Sequence, residues 1–186
     1  MGILPTALMR LVQKHTVAHT HAGIALCDST FRGRSDEFVE RAVAALTLIE
    51  RRDPARYWLI LRHIRCIDNS PFPTGYMVDY DHATRSCSLN FSCLDFPEGV
   101  DGDMMFACCI VHAAVTGRIA SYGIPKTRDN APRIESVCRL EERRFLSRVG
   151  AATLEPATGE PLLRVSMADR ITSAIELLSS AFREAA

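Results

Sequence analysis

Residues 108–118, CCIVHAAVTGR, lie in the middle of the least charged part of the chain and contain one histidine, His112. The uncharged run around them covers residues 104–117. It falls short of the roughly 20 apolar residues that a bilayer-spanning helix needs. We therefore expect a buried helix here and no membrane span.

The residues on either side define the ends of this helix. Asp101 or Asp103 is a suitable N-cap before the apolar run. Gly123 and Pro125 follow the run and are typical of a helix end, so we expect the helix to finish near Tyr122.

Helices are also predicted before and after this stretch. Ser35 is followed by two acidic residues, then by a stripe of apolar residues, and finally by basic residues that end at position 52. This order is typical of a complete helix. Asp53 and Pro54 then form a new cap and first turn, so residues 55–63 should begin as a second, short helix that becomes a strand near Ile64.

A further helix is predicted from about Pro132 to Val149. Apolar residues recur along it at three- and four-residue spacing. Its arginines alternate with glutamates, which is typical of a solvated, salt-bridged face; the residues concerned are Arg139, Arg143, Arg144 and Arg148 with Glu135, Glu141 and Glu142.

Two short segments alternate apolar and polar residues, at positions 75–80 and 86–92, with DHATR between them. They predict a hairpin.

Together, the elements predict an α+β fold with a small antiparallel sheet on which helices pack. We expect one domain over residues 1–150, a linker or loop over 151–165, and an amphipathic C-terminal helix over 166–186.

Composition excludes several classes of protein. The 186 residues include 22 basic and 22 acidic side chains, so no overall charge favours nucleic acid as a partner. Seven cysteines are scattered and never spaced as CxxC, which argues against a disulfide framework and a zinc ribbon. Reduced thiols and a cytoplasmic location are the expectation, and the sequence leaves the oligomeric state open.

The residues that follow His112 have the spacing of a known metal motif. In His-Glu-x-x-His, two histidines four residues apart bind Zn²⁺ from one face of a helix, and the glutamate polarises the metal-bound water. The corresponding residues here are His-Ala-Ala-Val-Thr. His112 keeps the first position, whereas Ala113 cannot accept a proton and Thr116 offers a neutral hydroxyl where an imidazole is needed.

The flanking sequence strengthens this comparison. Residues 109–125, CIVHAAVTGRIASYGIP, and 133–149, RIESVCRLEERRFLSRV, resemble a group of small bacterial zincin-like proteins in which a His-Glu-x-x-His helix precedes a helix that contributes a glutamate. The resemblance implies a zincin-like fold and a metal site. By position, His112 matches the first ligand, Ala113 the catalytic glutamate, Thr116 the second ligand, and Glu135 the third ligand. Because two of these four have changed, the resemblance implies the fold without the activity.

Three other interpretations of this region remain. A rebuilt metal site could use Cys108, His112, Glu135 and Cys138, which would make the protein a metal-dependent hydrolase with zinc as its cofactor. His112 could instead be a core histidine, hydrogen-bonded to a neighbour such as Glu135, with Thr116 bonded to its own helix. Cys108 or Cys109 could be a nucleophile activated by His112, although no oxyanion donors are evident.

A separate set of histidines, His15, His19 and His21, lies near the N-terminus. The first two would share one face of a helix and could bind a metal, but a solvated terminal segment is the simpler interpretation.

We therefore expect a catalytically inactive zincin-like protein that acts as a binding or scaffold protein, with no cofactor. Its expected partner is a protein or peptide along the former substrate cleft, where an edge strand could receive an extended ligand. The enzymatic alternative is the hydrolase with the rebuilt Cys/His/Glu site.

Overall fold

The computed structural model describes residues 17–29, 35–69, 78–90, 101–127 and 129–150. The predicted linker 151–165, the predicted helix 166–186 and His15 lie outside these residues. In chain order the elements are β1 (Val17–His21), β2 (Ile24–Asp28), α1 (Ser35–Arg52), α2 (Pro54–His63), β3 (Cys66–Asn69), β4 (Val78–Asp81), β5 (Ser86–Leu89), α3 (Gly102–Ser121) and α4 (Ala131–Val149).

The four helices agree with the sequence predictions to within a residue or two, because their ends depend on local chemistry. The Asp101 side chain accepts hydrogen bonds from the backbone N–H groups of Asp103 and Met104 at the start of α3. Asp53 similarly caps α2, where Pro54 occupies the first turn.

The sheet has the strand order β1-β2-β3-β5-β4. The α+β class is confirmed, and so is the β4–β5 hairpin, in which Val78 pairs with Leu89. The prediction of a wholly antiparallel sheet is wrong, because β2, β3 and β5 run parallel to one another. The chain leaves β2, passes through α1 and α2, and returns as β3, and such a crossover through helices makes the two strands parallel.

The first hairpin, β1–β2, was not predicted. The prediction that His19 lies on the face of a helix is wrong, because it lies in an exposed strand that pairs with β2. The turn between these strands consists of Ala22 and Gly23, both with positive φ (49° and 82°), which suits a two-residue hairpin loop.

Helix α3 forms the centre of the core. It packs against α1, α2, α4, β4 and β5, and every residue from Met104 to Gly117 is buried. Its mean hydropathy reaches 1.5 over an 18-residue window, so by length and composition alone it could cross a membrane, but 78% of that window is buried inside the protein. A core helix has these same properties, and nothing in the described residues supports a membrane span.

Gly117 allows α3 to approach β4 closely. A Cβ atom at this position would lie 2.8 Å from Cζ and Oη of Tyr80 and 3.0 Å from Cβ of His63. The Tyr80 hydroxyl also donates a hydrogen bond of 2.8 Å to the carbonyl oxygen of His63. These contacts hold the second half of α3 against β4 and the end of α2.

Candidate functional site

His112 lies in the middle of α3 and is only 5% exposed. Both of its ring nitrogens face carboxylates of α4. Nδ1 lies 2.6 Å from Oε1 of Glu142, and Nε2 lies 3.6 Å from Oε2 of Glu135. The structure therefore brings together His112 and Glu135, which the resemblance matches to two ligands of one metal site. It also adds a second carboxylate, that of Glu142.

The prediction that Glu142 lies on the solvated face of α4 is wrong. Its side chain is fully buried. It lies four residues after Cys138 and three before Phe145, both of which are also buried, so helical spacing places it on the inner face. The neighbouring residues Glu141 and Arg143 obscured this, because they make the segment resemble an exposed charged helix.

The side chains around His112 determine the charge of its imidazole. Burial acts to lower the pKa of His112, but its interactions with Cys138 and with the carboxylate of Glu142 outweigh this effect and raise the pKa to about 10. At neutral pH His112 is therefore an imidazolium paired with a buried carboxylate. An imidazolium has no lone pair with which to bind a metal or accept a proton.

Thr116 and Cys138 complete the immediate surroundings of His112. The Thr116 hydroxyl donates a hydrogen bond of 3.1 Å to the carbonyl oxygen of His112. The Cys138 thiol lies 3.4 Å from the same hydroxyl and 3.8 Å from the same carbonyl oxygen. Thr116 is thus bonded within its own helix, as the core-histidine interpretation expected, although the main partner of the ring is Glu142 rather than Glu135.

The other residues proposed for catalysis are enclosed in the core. Ala113, at the position of the catalytic base, is completely buried. Burial raises the pKa of the Cys108 thiol, and the charge of Glu142 raises it further. The pKa of Cys109 is raised for the same reasons, with a contribution from Cys108. Neither thiol forms the thiolate that a cysteine nucleophile requires.

These residues do not fit a zinc ion. Within the described ranges, no three His, Cys, Asp or Glu side chains are grouped so that they could hold a metal, and Cys108, His112, Glu135 and Cys138 all fall in those ranges. The two nitrogens of His112 are engaged by carboxylates on opposite sides of the ring, whereas a zinc site needs one nitrogen directed at the ion.

A second buried polar cluster lies at the carboxyl ends of the parallel strands β2 and β3. The Ser29 hydroxyl donates to Asp68 at 2.6 Å, and the Asn69 amide donates to Asp28 at 3.1 Å. Burial raises the pKa of Asp68 to about 6, against the effect of the Ser29 hydrogen bond. This cluster was not predicted from the sequence because β2 was not predicted, although an apolar run ending in Asp and a small polar residue occurs in both strands.

The chain matches no protein-family model, no curated protein and no solved structure. The resemblance to zincin-like proteins therefore rests on the residues of α3 and α4 alone.

Proposed function

We propose that this chain is a zincin-like protein without peptidase activity that acts by binding a protein or peptide. The observation that carries the proposal is the state of His112, whose Nδ1 is 2.6 Å from the buried carboxylate of Glu142. The first position of the motif is retained, but its side chain stabilises the contact between two helices.

The residues around His112 support the absence of hydrolysis. A peptidase of this type needs a carboxylate to polarise water and a second imidazole to hold the metal. Ala113 provides no acceptor, and the hydroxyl of Thr116 is already bonded to the helix backbone. Both residues are buried, so neither is presented to a substrate.

The position of β4 supports a peptide or protein as the partner. β4 is an edge strand of the described sheet and packs against α3. An extended peptide can add to such an edge through main-chain hydrogen bonds. The backbone N–H of Tyr80 is exposed and bonded to the side chain of Asp79 at 2.9 Å, so a peptide added here would replace this bond.

Metal content separates this proposal from the hydrolase alternative. The full chain would be purified without a metal-affinity tag or chelator, and its zinc measured by mass spectrometry. We expect less than stoichiometric zinc, no change in melting temperature with chelator, and no cleavage of a mixed peptide substrate. Stoichiometric zinc with a chelator-sensitive melting temperature would support the rebuilt site of Cys108, His112, Glu135 and Cys138 instead.

Peptide-library selection on the full chain tests the binding role. Enriched peptides would be titrated into isotope-labelled protein and followed by NMR. The proposal expects the largest shifts in β4 and the adjacent residues of α3, with β1 at the opposite edge as the internal control. Shifts confined to β1, or no enrichment at all, would contradict the proposed site.

A further inference from the structure

A pocket rich in arginine lies between α2, the end of α3 and the second half of α4. Its volume is about 330 Å³, and the residues that decide its chemistry are Arg56, Leu59, Arg118, Glu141, Arg144 and Arg148. None of them belongs to the cluster around His112. A pocket of this size suits a small ligand.

The arginines of the pocket outnumber the carboxylates that neutralise them. Asp53, whose side chain is fully buried, binds both Arg56 and Arg148. Glu141 binds both Arg56 and Arg144, each at 2.6 Å. Four guanidinium groups thus face two carboxylates, which leaves a formal excess of two positive charges.

Arg118 contributes most clearly to this excess. It lies on the last turn of α3, is partly buried, and has no carboxylate partner within the described ranges. Its surroundings are also cationic: besides the effect of burial, the charges of Arg62, Arg85 and Arg118 all lower the pKa of His63.

Hydrogen-bond acceptors are scarce in the pocket as well. The terminal nitrogens of Arg56 reach Asp53 and Glu141, but its Nε is buried and has no acceptor in the described part of the chain. An unsatisfied buried donor is uncommon in a folded protein. The side chains of Arg144 and Arg148 are 58% and 56% exposed, so their guanidinium groups are accessible to a ligand.

We propose that this pocket binds the phosphate group of a small molecule. Guanidinium groups pair with phosphate through parallel hydrogen bonds, and a phosphate monoester carries close to two negative charges at neutral pH, which matches the excess. Ala55 and Leu59 form an apolar wall on the α2 side, where an organic group attached to the phosphate would lie. This site is independent of the proposed peptide-binding role.

Titration of the full chain with inorganic phosphate and with glycerol 3-phosphate tests the proposal. Binding would be followed by NMR at constant ionic strength, with chloride and glycerol as control solutes. We expect saturable shifts at the pocket with both phosphate compounds and none with the controls. Tighter binding of the ester would show that the organic group contacts the apolar wall, and equal binding would show that the phosphate group alone is recognised.

Two variants connect the binding to the pocket. Arg118→Gln should weaken phosphate binding about tenfold, because it removes one charge-assisted contact without breaking an ion pair between described residues. Arg144→Gln gives a second test if Arg118→Gln does not fold. The matched control is Arg133→Gln, which removes the same charge from the exposed first turn of α4. Absence of saturable binding, or equal weakening in the variant and the control, would overturn the proposal.

Discussion

His112 and Glu142 form a buried ion pair that joins the middle of α3 to the middle of α4, with 2.6 Å between Nδ1 and Oε1. The two residues are 30 positions apart in the sequence. In the metal motif that this region resembles, two helices are held together through a shared ion. Here a charged hydrogen bond between two side chains makes the connection.

His112→Gln should destabilise the fold strongly. The substitution leaves the Glu142 carboxylate buried without a positive partner, and breaking a buried pair in this way typically costs about 3 to 5 kcal/mol. The free energy of unfolding in urea at pH 7 measures the loss.

Two substitutions provide the controls for this result. Glu142→Gln should cost less than His112→Gln, because the histidine left behind can lose its proton and become neutral. Glu135→Gln should cost less than about 1 kcal/mol, since that side chain is 28% exposed and lies 3.6 Å from the ring. Equal losses in all three variants would show that Glu142 has no special role.

The stability of the protein should fall as the pH rises from 6.5 towards 10. The folded-state pKa of His112 is raised from 6.5 to about 10, so between these values the folded state holds a proton that the unfolded state has lost. The stabilisation is complete below pH 6.5 and decreases by about 1.4 kcal/mol for each pH unit above it. Urea unfolding between pH 7 and 8 measures this slope.

The pH window isolates His112 from the other shifted groups. The raised pKa of Asp68, about 6, affects stability below this window, and so does the lowered pKa of His63. The cysteines with raised pKa values act only near and above their ordinary value of 9.0. The slope should therefore flatten in His112→Gln, and an unchanged slope would assign the effect to another group.

Gly117→Ala should destabilise the protein by about 1 to 3 kcal/mol even though alanine favours a helix. The new methyl group would lie 2.8 Å from the ring of Tyr80. Adding Tyr80→Leu should recover part of the loss by removing the far end of that ring. A melting temperature at or above that of the unsubstituted protein would show that α3 and β4 are not in close contact.

The double change Ala113→Glu with Thr116→His tests the resemblance to zincin-like proteins. It supplies the base and the second imidazole at the positions that the alignment assigns, so a folded double variant should bind zinc. Adding Glu142→Gln should strengthen zinc binding. It removes a carboxylate that raises the pKa of His112, so the ring loses its proton more easily and a nitrogen lone pair becomes available to the metal. Calorimetric titration measures both, with Ala113→Glu alone as the control, and failure of the folded variants to bind would contradict the alignment.

The helices were predictable because their signals are local. Asp53 with Pro54 marks the start of α2, and Asp101 marks the start of α3, whatever these helices pack against. The parallel pairing of β2 with β3 depends on residues about 40 positions apart, such as Ala25 and Cys66, and no local pattern specifies it. The Ala22–Gly23 turn was missed because Ala is not a typical turn residue at positive φ.

The candidate site was predictable in part. His112 and Thr116 could be selected because a metal motif has a fixed helical spacing, and Glu135 because the flanking sequence resembles that of zincin-like proteins. Glu142 could not, since it stands between the charged residues Glu141 and Arg143 and its own burial depends on a partner 30 residues away. The apolar spacing from Cys138 to Phe145 was the one local signal that it faces the core.

The most direct test of the account is the protonation state of His112, measured by ¹⁵N–¹H NMR of the histidine rings in the full chain. The His112 signals would be assigned by their loss in His112→Gln, and recorded from pH 6.5 to 9 with and without zinc. We expect both ring nitrogens to stay protonated up to pH 9 and zinc not to shift their signals. A neutral ring at pH 7, or a zinc-dependent shift at one nitrogen, would show that His112 is available as a ligand and that the buried ion pair does not hold it.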